Sequence, residues 1–144
     1  MPVSPIPAGY HAVTPYLCVQ GADRLIDFAK RVFAATEQER MTRPDGTIGH
    51  AEVRIGDSVV MISEARGELK PMPSGLYVYV TDTDAAYGRA LAAGATSLME
   101  PADQFYGDRN AGVRDPIGNV WWIATRKEDV PPEELARRAA AQMK

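Results

Sequence analysis

One cysteine in 144 residues, Cys18, leaves the chain without an intrachain disulfide or a cysteine metal cluster. A reducing compartment suits such a chain. No basic run is longer than Arg137-Arg138, and the formal net charge is −3. An electrostatic hold on nucleic acid is therefore not expected. No apolar stretch approaches the roughly 20 residues that cross a bilayer. The Pro-rich start, Met1 to Ala8, also lacks the apolar run of a signal peptide. These absences point to a cytoplasmic protein with neither membrane nor nucleic acid as partner. What remains is ordinary for a globular chain, with 45% apolar and 24% charged residues. The length fits one domain, or two small modules sharing a core.

The chain then repeats itself. Ile55-Gly56-Asp57-Ser58-Val59-Val60-Met61-Ile62-Ser63 closes the first half, and Ile117-Gly118-Asn119-Val120-Trp121-Trp122-Ile123-Ala124 closes the second. Each is a turn pair followed by a strand of large apolar residues. Upstream of each lies a short strand, Tyr16-Leu17-Cys18-Val19 or Tyr77-Val78-Tyr79-Val80, that runs directly into a helix. A duplicated strand–helix–strands unit builds two similar half-sheets. The surface where the halves face each other is the expected place for a ligand.

Residues 1–12 read as a loose lead-in, because Pro2, Pro5 and Pro7 resist regular structure. One domain is expected over 13–126, with module one at 13–66 and module two at 74–126, followed by a helical tail over 127–144. In module one, a strand over Thr14 to Val19 precedes a helix over Gly21 to Ala35. Leu25, Ala29 and Val32 recur there at helical spacing, and Ile26 and Phe33 broaden the stripe. Thr36 to Thr42 is a second strand, and Pro44-Asp45-Gly46 is a turn. Gly49 to Ile55 and Ser58 to Ser63 form a hairpin closed by Gly56-Asp57, which tolerate the positive φ of a tight turn. After the polar connector Gly67 to Ser74 the pattern restarts. Gly75 to Val80 is a strand, and Asp82 or Thr83 caps a helix that runs to Ala93 and stops at Gly94. Thr96 to Met99 is a short strand, Phe105 to Arg114 a loop and strand, and Val120 to Thr125 the last strand, entered through the turn Asp115 to Asn119. The tail has a thin apolar face and is expected on the rim.

Strand side chains alternate between the two faces of a sheet. Leu17, Val19, Leu76, Val78 and Val80 form aliphatic faces that must cover the helices. Tyr16, Cys18, Tyr77 and Tyr79 then point the other way. A two-residue turn at Gly56-Asp57 sets Ile55 opposite Ser58, Arg54 opposite Val59, Val53 opposite Val60 and Glu52 opposite Met61. Ala51, Val53, Val60, Ile62, Trp121 and Ile123 fall on the helix side. Tyr16, His50, Glu52, Arg54, Met61, Tyr77, Tyr79, Arg114 and Trp122 fall on the open side. A face holding His, Glu and Arg among aromatic rings is too polar for a sealed core, since unpaired buried charge is costly.

Four stretches carry a resemblance: Val13-Thr14-Pro15-Tyr16-Leu17, His50-Ala51-Glu52-Val53-Arg54-Ile55-Gly56-Asp57-Ser58, Asp103-Gln104-Phe105-Tyr106-Gly107-Asp108-Arg109, and Asp115-Pro116-Ile117-Gly118-Asn119-Val120-Trp121-Trp122. Over residues 12 to 126 the chain resembles the vicinal-oxygen-chelate superfamily of glyoxalases, extradiol dioxygenases, fosfomycin-resistance enzymes and bleomycin-binding proteins. The last three stretches are similar to its PhnB-like branch. The resemblance implies an α+β fold of two tandem βαβββ modules, with curved mixed sheets around a cleft, plus the C-terminal helix and commonly a homodimer. Members of that superfamily usually hold a divalent metal with His and Glu side chains. Those four positions fall here on Thr14, Met61, Gly75 and Trp122, none a usual ligand for a hard or borderline cation. No metal and no other cofactor is expected.

His11, in the lead-in, reads as a solvent-exposed histidine, and Cys18 as a small buried filler. His50 with Glu52, or Glu52 with Arg54, reads either as a structural ion pair or as an acid–base pair. Gln104, Tyr106, Asp108 and Arg109 either orient a ligand at the cleft mouth or brace the loop. The leading reading is a small-molecule-binding protein of the drug-binding or antibiotic-resistance type, taking a flat aromatic or cationic compound. Tyr16, Tyr77, Tyr79 and Trp122 would stack, with Met61 and Tyr106 beside them. His50, Glu52, Arg54 and Arg109 would supply polar contacts. The alternative is a glyoxalase- or dioxygenase-like lyase or isomerase with a non-standard site at His50 and Glu52. A third reading makes the domain a partner-binding module that uses its tail helix.

Overall fold

Two short strands that each feed a helix organise the molecule, as the repeat predicts. The computed structural model describes residues 3–143; Met1 and Pro2 of the lead-in and Lys144 of the tail lie outside the described residues. Module one consists of β1 (Tyr16–Val19), α1 (Ala22–Phe33), β2 (Thr36–Thr42), β3 (Ile48–Ile55) and β4 (Ser58–Glu64). Module two consists of β5 (Gly75–Tyr79), α2 (Thr83–Ala92), β6 (Thr96–Asp103), β7 (Asp108–Arg114) and β8 (Val120–Arg126), and α3 (Pro132–Gln142) follows. The sheets have the equivalent orders β1-β4-β3-β2 and β5-β8-β7-β6. In each, the first strand lies parallel to the last and the remaining pairs are antiparallel. The architecture is α+β, two βαβββ modules in tandem.

Local signals explain most boundaries. The β3–β4 hairpin turns at Gly56-Asp57 and pairs Ile55 with Ser58, Arg54 with Val59, Val53 with Val60 and Glu52 with Met61, the expected register. The Asp82 side chain accepts a hydrogen bond from the Ala85 N–H at 3.1 Å and caps α2. Helix α1 has no side-chain cap of its own at Gly21. The Glu64 carboxylate at the end of β4 accepts from the Gly21 and Ala22 N–H groups at 3.0 and 2.9 Å instead. A negative charge there also suits the positive end of the helix dipole. Strand β6 runs past the expected stop at Met99 to Asp103. It crosses Pro101 because it is an edge strand with irregular pairing between Met99 and Ala102.

One core serves both modules. Helix α1 buries Leu25, Ile26, Phe28, Ala29, Val32 and Phe33. The Phe28 and Phe33 rings lie 6.1 and 5.1 Å from Trp121, which belongs to β8 of the other module. Arg89 of α2 donates to the Val32 carbonyl of α1 at 3.0 Å. The helix sides of both sheets therefore meet around α1 and α2, and the two open faces turn away from each other. What the halves share inside one chain is apolar packing and a hollow of about 250 Å³ lined by Ile55, Val60, Leu76, Tyr77, Tyr79 and Trp121.

Candidate functional site

The open face of module one is built by strand alternation. Register places Met61 beside both Tyr16 and Glu52. The Tyr16 ring centroid stands 6.0 Å from that of His50. Glu52 is buried, at 6% exposure, which an isolated carboxylate tolerates poorly. His50 Nε2 lies 2.8 Å from one carboxylate oxygen, and the Tyr10 hydroxyl donates to the other. The Tyr10 and His50 hydrogen bonds hold Glu52 below the usual carboxylate range. The same bond pushes the Tyr10 phenol up. The lead-in thus lies along this face, without helix or strand in its described part. Arg54 holds it by donating to the Gly9 carbonyl at 3.3 Å, while its Nε donates to Gln38 at 2.8 Å. Pro5, Ile6, Pro7, Tyr10, Glu52 and Met61 line a hollow of about 340 Å³ here.

The open face of module two holds a denser polar network. The Tyr77 and Tyr79 hydroxyls donate to the same oxygen of Asp108, at 2.7 and 2.9 Å. The Asn110 amide donates to the Tyr77 and Tyr106 hydroxyls at 3.0 and 2.7 Å. Burial pushes the Tyr77 phenol up. The hydrogen bond to Asp108 does the same to Tyr79. Both phenols therefore remain proton donors at neutral pH. Trp122 pairs in register with Tyr77 on β5 and with Gly112 on β7. A Cβ at Gly112 would meet the Trp122 ring, so the indole lies directly on that backbone. Two further acceptors, Asp108 Oδ1 and Asn110 Oδ1, are buried with no hydrogen-bond partner among the described residues.

The sequence-predicted residues therefore form two groups. Tyr16, His50, Glu52, Arg54 and Met61 share the first face; Tyr77, Tyr79, Tyr106 and Trp122 share the second. Arg109 joins neither. Alternation along β7 sends Asp108 and Asn110 to the open face and Arg109 to the helix side. There it donates to Asp84 at 2.7 and 2.9 Å and to Asp103 at 3.2 Å, so its role is to brace α2 and β6. His11 is exposed and Cys18 buried. Tyr10 and Asn110 escaped the sequence reading. Asn110 was discoverable from its two-residue spacing to Asp108; Tyr10 sits among prolines and carries no periodic signal.

The Asp115–Asn119 turn is structural. The buried Asp115 carboxylate accepts from the Ile117 and Asn119 N–H groups, the Asn119 amide and the Trp121 indole N–H, at 2.9 to 3.1 Å for the first three and 2.8 Å for the indole. It fixes the core Trp121, which leaves the neighbouring Trp122 on the open side.

A divalent metal does not fit the four positions that the resemblance implies for it. They carry a hydroxyl at Thr14, a thioether at Met61, nothing at Gly75 and an indole at Trp122. Among the described residues no group of three or more His, Cys, Asp or Glu side chains converges. His50 and Glu52 are already bonded to each other.

Comparison with known proteins agrees with this architecture. An uncharacterized protein of Mycobacterium bovis, Mb0911c, is 34% identical over 142 residues, covering 91% of this chain and 93% of the relative. The crystal structure of TioX from a Micromonospora species superposes with a TM-score of 0.68 at 27% identity, covering 81% of this chain and 98% of that one. TnmS3 from a Streptomyces species, described as an antibiotic binding protein, superposes with a TM-score of 0.65 over 88% of this chain and 99% of its own. Its 20% identity shows a common fold alone. The model of the Glyoxalase/Bleomycin resistance protein/Dioxygenase superfamily matches residues 10–123, most of the chain. The chain belongs to that superfamily.

Proposed function

We propose that this superfamily member binds a flat aromatic or cationic small molecule on its open faces, without a metal, as a drug-binding protein of the antibiotic-resistance type. The observation that carries this reading is Trp122, laid on Gly112 beside the half-exposed rings of Tyr77 and Tyr79. Each aromatic or cation–π contact of that kind contributes about 0.5–2 kcal/mol. The antibiotic-binding description of TnmS3 supports the reading at the level of shared fold. The protein acts as a cytoplasmic homodimer in this reading. The open faces of one chain diverge, so a second copy supplies the opposite wall of each cleft. The glyoxalase- or dioxygenase-like lyase or isomerase alternative at His50 and Glu52 is weaker. A carboxylate that already accepts from Tyr10 and His50 and is held ionised is a poor base at neutral pH.

Calorimetric titration with proflavine, a flat cation, tests the proposal. Trp122→Ala weakens binding at least tenfold, about 1.4 kcal/mol. Unchanged affinity removes the rings from the site.

A further inference from the structure

We infer that the buried pair Asp108 and Asn110 on the open face of module two is a recognition point for a cationic, hydrogen-bond-donating group of the ligand. This rests on the aromatic-binding reading and narrows it to one charge and one location. Asp108 and Asn110 are 3% and 2% exposed, and each keeps one side-chain oxygen without a partner. Both belong to the same face as Tyr77, Tyr79 and Trp122, because β7 pairs Asn110 with Ala124 and Gly112 with Trp122. The two tyrosine hydroxyls satisfy only Oδ2 of Asp108. The Asn110 amide nitrogen is spent on Tyr77 and Tyr106, which leaves its oxygen free to accept. Two acceptors, one of them on a carboxylate, thus await N–H donors beside an aromatic surface.

The cation beside Asp108 among the described residues, Arg126, does not fill the role. Arg126 Nη1 stands 3.8 Å from Asp108 Oδ1, beyond hydrogen-bond reach, and its Nε donates to Asp129 at 2.9 Å. Its side chain is 51% exposed, and Tyr79 is 58% exposed. These two exposed side chains lie against the carboxylate and are the parts that yield to an entering group. An aromatic amine, amidine or guanidine matches the arrangement. Its ring plane stacks on Trp122 while its N–H groups reach the two oxygens. A neutral ring without donors gains the stacking and nothing from Asp108.

The experiment compares proflavine, which carries a charge and amino groups, with acridine, which is flat and neutral at mildly alkaline pH. Full-length protein is titrated with each by calorimetry. Wild type prefers proflavine at least tenfold. Asp108→Asn removes that preference, read as the ratio of the two affinities. Arg126→Gln, a change at an exposed side chain, deletes the competing cation and tightens proflavine at least threefold without altering acridine. Thermal melts confirm that each variant folds; if Asp108→Asn does not, the Arg126→Gln arm decides. If acridine and proflavine bind equally, or the preference survives Asp108→Asn, the two acceptors are satisfied by solvent and the inference is overturned, while the stacking proposal stands. If neither compound binds, both proposals fall.

Discussion

Glu52 and Asp108 occupy matching open faces in the two modules and solve the same problem differently. Each is a buried carboxylate that needs donors. Glu52 has its donors in Tyr10 and His50; Asp108 has two phenols on one oxygen and none on the other. The consequence for Glu52 is a linkage between pH and folding. Its native pKa lies below the ordinary carboxylate value of about 4.3. The associated stability is therefore present above that value and lost as pH falls through the lower native one. Tyr10→Phe removes the largest cause of the depression. The urea midpoint of this variant falls at neutral pH, and the further loss on acidification to about pH 3.5 is smaller than in wild type. Equal acid sensitivity of the two proteins would show that the Tyr10 bond contributes nothing to folding.

At the scale of elements, the turn from Asp115 to Asn119 carries more than chain reversal. Its carboxylate gathers four donors, one of them the indole of Trp121, inside the core. Asp115→Ala strands those donors in a buried setting, where each unsatisfied group costs about 1–3 kcal/mol. A loss of at least about 3 kcal/mol is expected from chemical unfolding, with Trp fluorescence shifted to the red. A loss of under about 1 kcal/mol would mean that water replaces the carboxylate. The tail is a second instance of an element acting through another. The Gly107 carbonyl accepts from the Lys127 and Glu128 N–H groups at 2.8 and 3.2 Å. Arg138 of α3 donates to the Phe105 carbonyl at 3.1 Å. Helix α3 therefore packs on the rim, against the loop that presents Tyr106 to Asn110.

For the whole molecule, the decisive fact is that α1 contacts Trp121 of the opposite module. The modules share a core, so neither can unfold and leave the other intact. Circular dichroism and Trp fluorescence should report one coincident transition in urea. In the proposed homodimer its midpoint rises with protein concentration, and sedimentation gives twice the chain mass. A concentration-independent midpoint with monomeric sedimentation would leave each open face as a complete site by itself.

Much of the fold was legible in local pattern. The repeat announced two modules, and the Gly56-Asp57 turn settled a register in which one residue of slip would exchange the two faces. Alternation alone assigned Tyr16, Tyr77, Tyr79 and Trp122 to the open side. Alternation also carried the information that Arg109 turns from Asp108, but only once the start of β7 was known. Other features depend on partners distant in the chain and leave no local trace: Glu64 capping α1, Tyr10 on Glu52 across 42 positions, and Tyr77 with Asp108 across 31. Period and turn chemistry are properties of neighbouring residues, so local pattern suffices to say which side chains share a face. Which faces meet, and which buried oxygens stay without a donor, depends on how the modules pack around α1 and α2, a long-range arrangement that exists only in the folded chain.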